Sequence, residues 1–173
     1  AIRPEERAPL FNAVAEAVRS IGYTGVGTLE FLRARDGSLW FMEMNVRLQV
    51  EHAVSEMLTQ VDLVKWQIRT AAGVSLSFRQ ADIPLRGAAI ECRINAVSPG
   101  RLRMLHVPGG PFVRFDTYLV QGVTITPFYD PLIGKLIVYA ATREEALRKM
   151  RAALCELVID GVETNIAEQL RII

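Results

Sequence analysis

The stretch Phe41–His52, Phe-Met-Glu-Met-Asn-Val-Arg-Leu-Gln-Val-Glu-His, constrains this chain more than any other. Its odd positions from 43 to 51 are polar (Glu43, Asn45, Arg47, Gln49, Glu51), and its even positions from 42 to 50 are apolar (Met42, Met44, Val46, Leu48, Val50). Side chains of an extended segment alternate faces. The pattern therefore predicts a strand with one polar face and one core-facing apolar face, on which Met42 and Met44 are ordinary core. The polar face holds two carboxylates, two amides and a guanidinium, a set suited to metal ions and an oxyanion.

A second strand precedes it. Gly25–Leu32 and Leu39–Asn45 are separated by Asp36-Gly37, a strong hairpin signal. If Asp36-Gly37 is a two-residue turn, counting outward sets Glu30 directly opposite Glu43. Like charges so placed, with Cβ atoms roughly 5 Å apart, repel each other unless a proton or a cation lies between them. Mg²⁺ shared with phosphate oxygens is the natural candidate, because such sites use one or two carboxylates plus substrate phosphates. Two surface carboxylates on a hairpin are the plain alternative.

The rest of the chain reads as mixed α and β. Pro4-Glu5-Glu6 starts a helix whose apolar residues are Leu10, Phe11, Val14, Val18 and Ile21, with Gly22 as its stop. Val61–Ala72 is a second helix with the stripe Val61, Val64, Ile68, Ala71, closed by Gly73. Ser75–Arg86 lacks a period and is the candidate domain junction. Gly87–Ala96 alternates again, with Glu91, Arg93 and Asn95 on one face and Ile90, Cys92 and Ile94 on the other. Strands are expected near 112–115, 118–125 and 135–139, with Asp130–Gly134 as a loop. Thr142-Arg143-Glu144-Glu145 is a capping box opening a helix to about Val158, and 165–173 forms another. His52 reads as structural, His106 has no identifiable partner, and Cys92 reads as core.

Charge excludes some partners. The 20 basic and 19 acidic residues nearly cancel, so nothing argues for nucleic acid. No apolar run approaches the roughly 20 residues of a membrane span. The two cysteines are too few for a disulfide framework, which favours a reducing compartment. Ala1-Ile2-Arg3-Pro4 reads like a cut through a longer protein.

The run Glu43-Met44-Asn45-Val46-Arg47-Leu48-Gln49-Val50-Glu51-His52 resembles the signature of biotin carboxylases in the ATP-grasp superfamily. Matching segments follow in order: Gly27–Leu32, Val61–Lys65, Glu91-Cys92-Arg93-Ile94-Asn95-Ala96, Tyr129–Leu136 and Asp160–Asn165. The resemblance implies an α+β chain. Residues 1–80 would end the ATP-grasp catalytic domain, an antiparallel sheet with helices, and 81–173 would form the biotin carboxylase C-terminal domain.

It also implies roles. Glu30, Glu43 and Asn45 would hold the Mg²⁺ or Mn²⁺ ions on ATP. Arg47, Gln49 and the backbone of Val50 would bind bicarbonate, and Glu51 would deprotonate it. Arg93 would stabilise anionic intermediates at biotin. A guanidinium suits a planar anion through parallel hydrogen bonds, and an Arg neighbour lowers the cost of removing the second proton. Fully extended, Glu43 and Glu51 lie about 26 Å apart at roughly 3.3 Å per residue, so the chain is expected to bend past Asn45.

The implied partners are a biotin carboxyl carrier protein or domain, a carboxyltransferase, a second copy through the C-terminal domain, and the missing N-terminal part of the same enzyme. Neither nucleic acid nor membrane is implied. The expected compartment is bacterial cytoplasm or mitochondrial matrix. The parent would be an acetyl-CoA, propionyl-CoA, methylcrotonyl-CoA, pyruvate or related carboxylase, its acceptor chosen by the separate carboxyltransferase. The glycine-rich lid, adenine pocket and phosphate-binding lysines would precede Ala1, so this segment alone is expected to be inactive. The chain departs from the family at Ser98-Pro99-Gly100, which follows Asn95-Ala96 sooner than usual. The alternatives are another ATP-grasp ligase, such as a carbamoyl-phosphate synthase, and a non-catalytic scaffold module.

Overall fold

A computed structural model describes residues 2–173; Ala1, at the expected cut, lies outside them. In chain order the elements are α1 (Pro4–Ser20), β1 (Thr28–Arg33), β2 (Leu39–Asn45), α2 (His52–Thr59), α3 (Leu63–Ala71), a short 3₁₀ turn (Gln80–Asp82), β3 (Ala88–Asn95), β4 (Gly100–Arg101), β5 (Met104–His106), β6 (Val113–Thr117), β7 (Thr124–Ile125), β8 (Leu132–Ala140), α4 (Arg143–Glu156), β9 (Val158–Asp160) and α5 (Ile166–Ile172). The chain divides into two compact units. The first runs to His52 and resumes over Asp62–Arg79; the second comprises Ala53–Val61 and Gln80–Ile173.

In the first unit, α1 opens where Glu6 accepts the Arg3 backbone N–H at 2.7 Å. The Arg3 side chain donates to the same carboxylate and holds Glu6 down at about 2. Arg33 on β1 also reaches Glu6, at 2.9 Å, and so ties the hairpin to the helix. Leu10, Val14 and Val18 are half-buried, whereas Phe11 and Ile21 of the expected stripe are exposed.

α3 corrects the sequence reading. Asp62 caps the helix by accepting the Lys65 N–H at 2.8 Å, so it starts at Leu63 and leaves Val61 outside. Its sheltered face is Leu63, Trp66, Gln67 and Thr70; Val64, Ile68 and Ala71 are exposed. Trp66 sets this orientation by meeting Phe78 edge-on at 5.3 Å.

The second unit holds the core. β3, β8 and β6 form an antiparallel sheet in the order β3-β8-β6. The buried cluster joins Cys92 and Ile94 of β3, Leu136, Val138 and Ala140 of β8, and Ala146, Met150, Ala153 and Leu154 of α4. The capping box is as expected: Thr142 Oγ1 accepts from Glu145 N at 3.2 Å, and Glu145 accepts from Thr142 N at 3.3 Å.

Three local expectations fail here. Residues 118–123 are not a strand, because Thr117 Oγ1 takes the Leu119 N–H at 3.0 Å and donates to Ile133 O at 2.6 Å. β8 starts at Leu132, inside the expected loop. α4 stops at Glu156, where Leu157 turns extended and leads into β9, which pairs with β5. The short connection after Asn95 is held by Val97 N donating to Glu163 O at 2.7 Å and by a bridge between Ala96 and Thr164.

Candidate functional site

Glu30 of β1 stands opposite Glu43 of β2, with Thr28 opposite Asn45. The turn differs from the two-residue form expected. Ala34 N donates to Ser38 O at 2.9 Å, and Gly37 N to Ala34 O at 3.0 Å, so three residues close the loop. Gly37 takes φ 90°, a conformation that favours glycine. Arg33 then faces Leu39, and Phe31 faces Phe41. A bulge at Met42, between the Phe31/Phe41 and Glu30/Glu43 pairs, restores the register that puts the two glutamates together.

The bulge also overturns part of the core reading. Met42 is 52% exposed and Val46 66% exposed. An extra residue on one strand interrupts the alternation, and Val46 lies past the end of β2. Met44, by contrast, is half-buried.

Asn45 knits the polar side chains together. Its Nδ2 donates to Glu30 Oε1 at 2.9 Å and to Glu43 Oε1 at 3.1 Å. Gln49 Nε2 donates to the same Glu30 oxygen at 3.2 Å, and Arg47 Nη2 to Asn45 Oδ1 at 3.4 Å. Glu30, Glu43, Asn45, Arg47 and Gln49 thus form one hydrogen-bonded cluster. The strand ends at Asn45, and Val50-Glu51 form a turn before α2 begins at His52. The expected bend is therefore present. His52 Nδ1 lies 2.8 Å from Gln49 O and closes that turn.

The donor set fits a hard divalent cation: two facing carboxylates and an amide oxygen are the ligand types Mg²⁺ and Mn²⁺ take. Among the described residues, no group of three or more His, Cys, Asp or Glu side chains could hold a metal. Any metal here would thus need ligands beyond such side chains, as a phosphate-shared ion has.

Arg93 stands on β3 of the second unit, exposed and opposite Lys135 of β8. Lys135 in turn faces Asp116 of β6, with Nζ 3.6 Å from its carboxylate. Arg114 grips Asp116 through Nε at 2.6 Å and Nη2 at 2.7 Å, and reaches Glu56 of α2 through Nη1 at 2.6 Å. The bond to Asp116, then that to Glu56, raises the Arg114 pKa further against the opposing effect of burial. Burial alone would raise Asp116; the Arg114 hydrogen bond and the charges of Arg114 and Lys135 outweigh it, leaving a net downward shift.

Sequence reasoning missed this network, because its members alternate on β6 as any solvated face does. His106, without an identifiable partner in the sequence, lies 3.3 Å from Glu156. Cys92 is buried as expected, and burial, then the Glu91 charge, pushes its thiol up to about 11, so it stays a protonated core residue.

Residues 1–79 match the family model "Carbamoyl-phosphate synthase L chain, ATP binding domain". Residues 91–173 match "Biotin carboxylase C-terminal domain". The second match, which lies outside the polar segment, names the biotin carboxylases. Over both segments the chain is similar to the biotin carboxylases. It is 51% identical over 172 residues to the biotin carboxylase of Haemophilus influenzae, covering 95% of this chain and 38% of that protein.

It is 49% identical over 174 residues to the chloroplastic biotin carboxylase 1 of Populus trichocarpa, covering 96% of this chain and 33% of that one. The biotin carboxylase domain dimer of Hydrogenobacter thermophilus 2-oxoglutarate carboxylase, solved with MgADP, ADP and bicarbonate, superposes with a TM-score of 0.94. It is 46% identical, and the match covers 99% of this chain and 40% of that one. The chain thus spans about two fifths or less of the relatives it matches. No helix among the described residues is long and apolar enough to cross a membrane.

Proposed function

We propose that this chain is the carboxyl-terminal part of a biotin carboxylase that uses ATP and bicarbonate to carboxylate biotin on a carrier protein. The observation that carries the reading is the cluster in which Asn45 joins the facing Glu30 and Glu43 and is itself joined by Arg47. It lies in the residues that match the family signature and leads directly into Gln49, Val50 and Glu51.

In this reading Glu30, Glu43 and Asn45 hold Mg²⁺ or Mn²⁺. Bound there, the metal neutralises phosphate charge that builds as the γ-phosphoryl group is transferred. Arg47 and Gln49, with the Val50 backbone, hold bicarbonate. Glu51 takes its proton, which frees an oxygen to attack the γ-phosphorus and expel ADP, giving carboxyphosphate. Carboxyphosphate then parts into CO₂ and phosphate; the phosphate takes the ureido N–H proton of biotin, and the freed nitrogen bonds the CO₂. Arg93 presents a fixed cation to the anions that form on this route, which costs no reorganisation at the moment of reaction.

The domain division at 80/81 is proposed on the same footing. It is supported by matches ending at 79 and beginning at 91, and by compact units that part at Arg79/Gln80. A biotin carrier, a carboxyltransferase and a second copy of the enzyme are the proposed partners. The bacterial cytoplasm or an organelle interior is the proposed compartment, in keeping with Haemophilus and chloroplastic relatives.

The test is bicarbonate- and biotin-dependent ATP hydrolysis by the full-length protein carrying this sequence. Glu51→Gln is expected to lower turnover on the order of 10²- to 10⁴-fold, the usual worth of a general base. Turnover equal to that of the unaltered protein would remove Glu51 from the base role.

A further inference from the structure

β3, which carries Arg93, is the outer strand of its sheet and, among the described residues, pairs with β8 alone. The pairing slips one residue past Arg93: Ile94 faces Gly134 and Asn95 faces Leu132, so the bulged residue is Ile133 of β8. An edge strand has outward backbone groups that its sheet does not fix. Here one residue serves them. Asn165 Oδ1 accepts the Asn95 N–H at 2.9 Å, and Asn165 Nδ2 donates to the Arg93 carbonyl at 3.1 Å. The Asn165 backbone N–H donates to the Asn95 carbonyl at 3.2 Å. The three bonds flank Ile94, whose side chain is fully buried, so β3 is pinned on both sides of that residue, opposite the bulge.

Asn165 has another use available that it does not take. It stands at the N-cap of α5, where an Asn side chain ordinarily accepts a hydrogen bond from the first turn. No such bond is made. The side chain is committed to β3 instead, across 70 and 72 residues of sequence.

We propose that Asn165 is a positioning residue for Arg93: its amide fixes the β3 backbone on either side of Ile94 and so aims the guanidinium at the anions of the carboxylation reaction. The proposal rests on the reading of Arg93 given above. Arg93 carries its charge at the end of a long side chain, so a small backbone rotation is magnified there, and a misplacement of about 1 Å can cost on the order of 10²-fold in rate.

The test is a double-mutant cycle in the full-length enzyme with Asn165→Asp, Arg93→Ala and the pair together. Aspartate keeps the size and the acceptor for Asn95 but cannot donate to the Arg93 carbonyl. Asn165→Asp is expected to lower kcat for biotin carboxylation by roughly 10- to 100-fold, with the KM for ATP and the melting temperature held. In the Arg93→Ala background the same change is expected to have almost no further effect. Full activity of Asn165→Asp, losses that multiply in the double variant, or a loss shared by the ATP KM and the melting temperature would each overturn the positioning role. Full activity of Arg93→Ala would instead overturn the reading of Arg93 itself, and the positioning role with it.

Discussion

Asn45 is placed so that one amide nitrogen serves two carboxylates while its oxygen receives Arg47. That sharing moderates the repulsion between Glu30 and Glu43 but leaves both charges, as a metal site requires. Function and stability therefore pull apart at this pair. Glu43→Gln keeps an oxygen for Asn45 to bond and removes one of the two like charges. It is expected to stabilise the fold by about 0.2–1 kcal/mol, the range for a cross-strand charge contact. The same change removes an anionic ligand, so the Mg²⁺ concentration needed for half-maximal ATP turnover should rise at least about tenfold, the scale of losses on altering a metal site. Thermal melting and a Mg²⁺ titration of the full-length enzyme check both halves. A lower melting temperature with an unchanged Mg²⁺ requirement would show that the pair is merely structural.

Among elements, α2 depends on β6 through Arg114, whose guanidinium bonds both Glu56 and Asp116. Arg114→Ala strips two carboxylates of their donor, and Glu56 is only 10% exposed. The expected loss is roughly 2 kcal/mol, at the lower part of the range for charged hydrogen bonds because Arg114 itself is partly solvated. The pH dependence has a definite sign. Asp116 titrates lower in the folded chain than its ordinary 3.8, so its contribution is full above that value and fades as the pH falls through the lower, folded one. Acid unfolding of the parent should therefore steepen below about pH 3.8, and Arg114→Ala should flatten that limb. An acid limb identical in the two proteins would mean that the network does not link α2 to β6 energetically.

The same scale shows how much the sequence could reveal. The Glu30–Glu43 facing was legible, yet through two departures that cancel: a longer turn at 35–37 and a bulge at Met42. Neither has a periodic signal. The α3 face was misjudged because Val64/Ile68 and Leu63/Trp66/Thr70 both fit a helical stripe, and the contact of Trp66 with Phe78 is tertiary. β4, β7 and β9 run for two or three residues, too few to show alternation. The proposed anion-handling residues Arg47, Gln49 and Glu51 stand out in the sequence because a bend after a strand still leaves a chemically coherent set of side chains. Asn165 was visible only as part of a motif, since its bonds to β3 span the second unit.

For the whole molecule, the side chains that are fully buried all fall within the second unit: Ala53 and the core running from Cys92 to Leu157. The first unit keeps its helices and hairpin with half-buried contacts, while Trp40 at 65% and Phe41 at 58% stay exposed. A two-stranded ribbon is marginal alone in water and needs further strands or a packed face. Because this chain spans about two fifths of its relatives, the unequal cores predict unequal local stability. In the isolated chain, amides of β1 and β2 should exchange with solvent at least about 10²-fold faster than those of β8 and α4, whose opening requires loss of the buried cluster. In the full-length protein, protection of β1 and β2 should rise towards that of β8, because the metal-holding role proposed for the cluster on that hairpin needs a fixed register. Hydrogen exchange read by mass spectrometry on both proteins separates the outcomes. Equal protection of β2 and β8 in the isolated chain would mean that the hairpin is stable by itself, and that its exposed aromatic residues are not waiting for the rest of the enzyme.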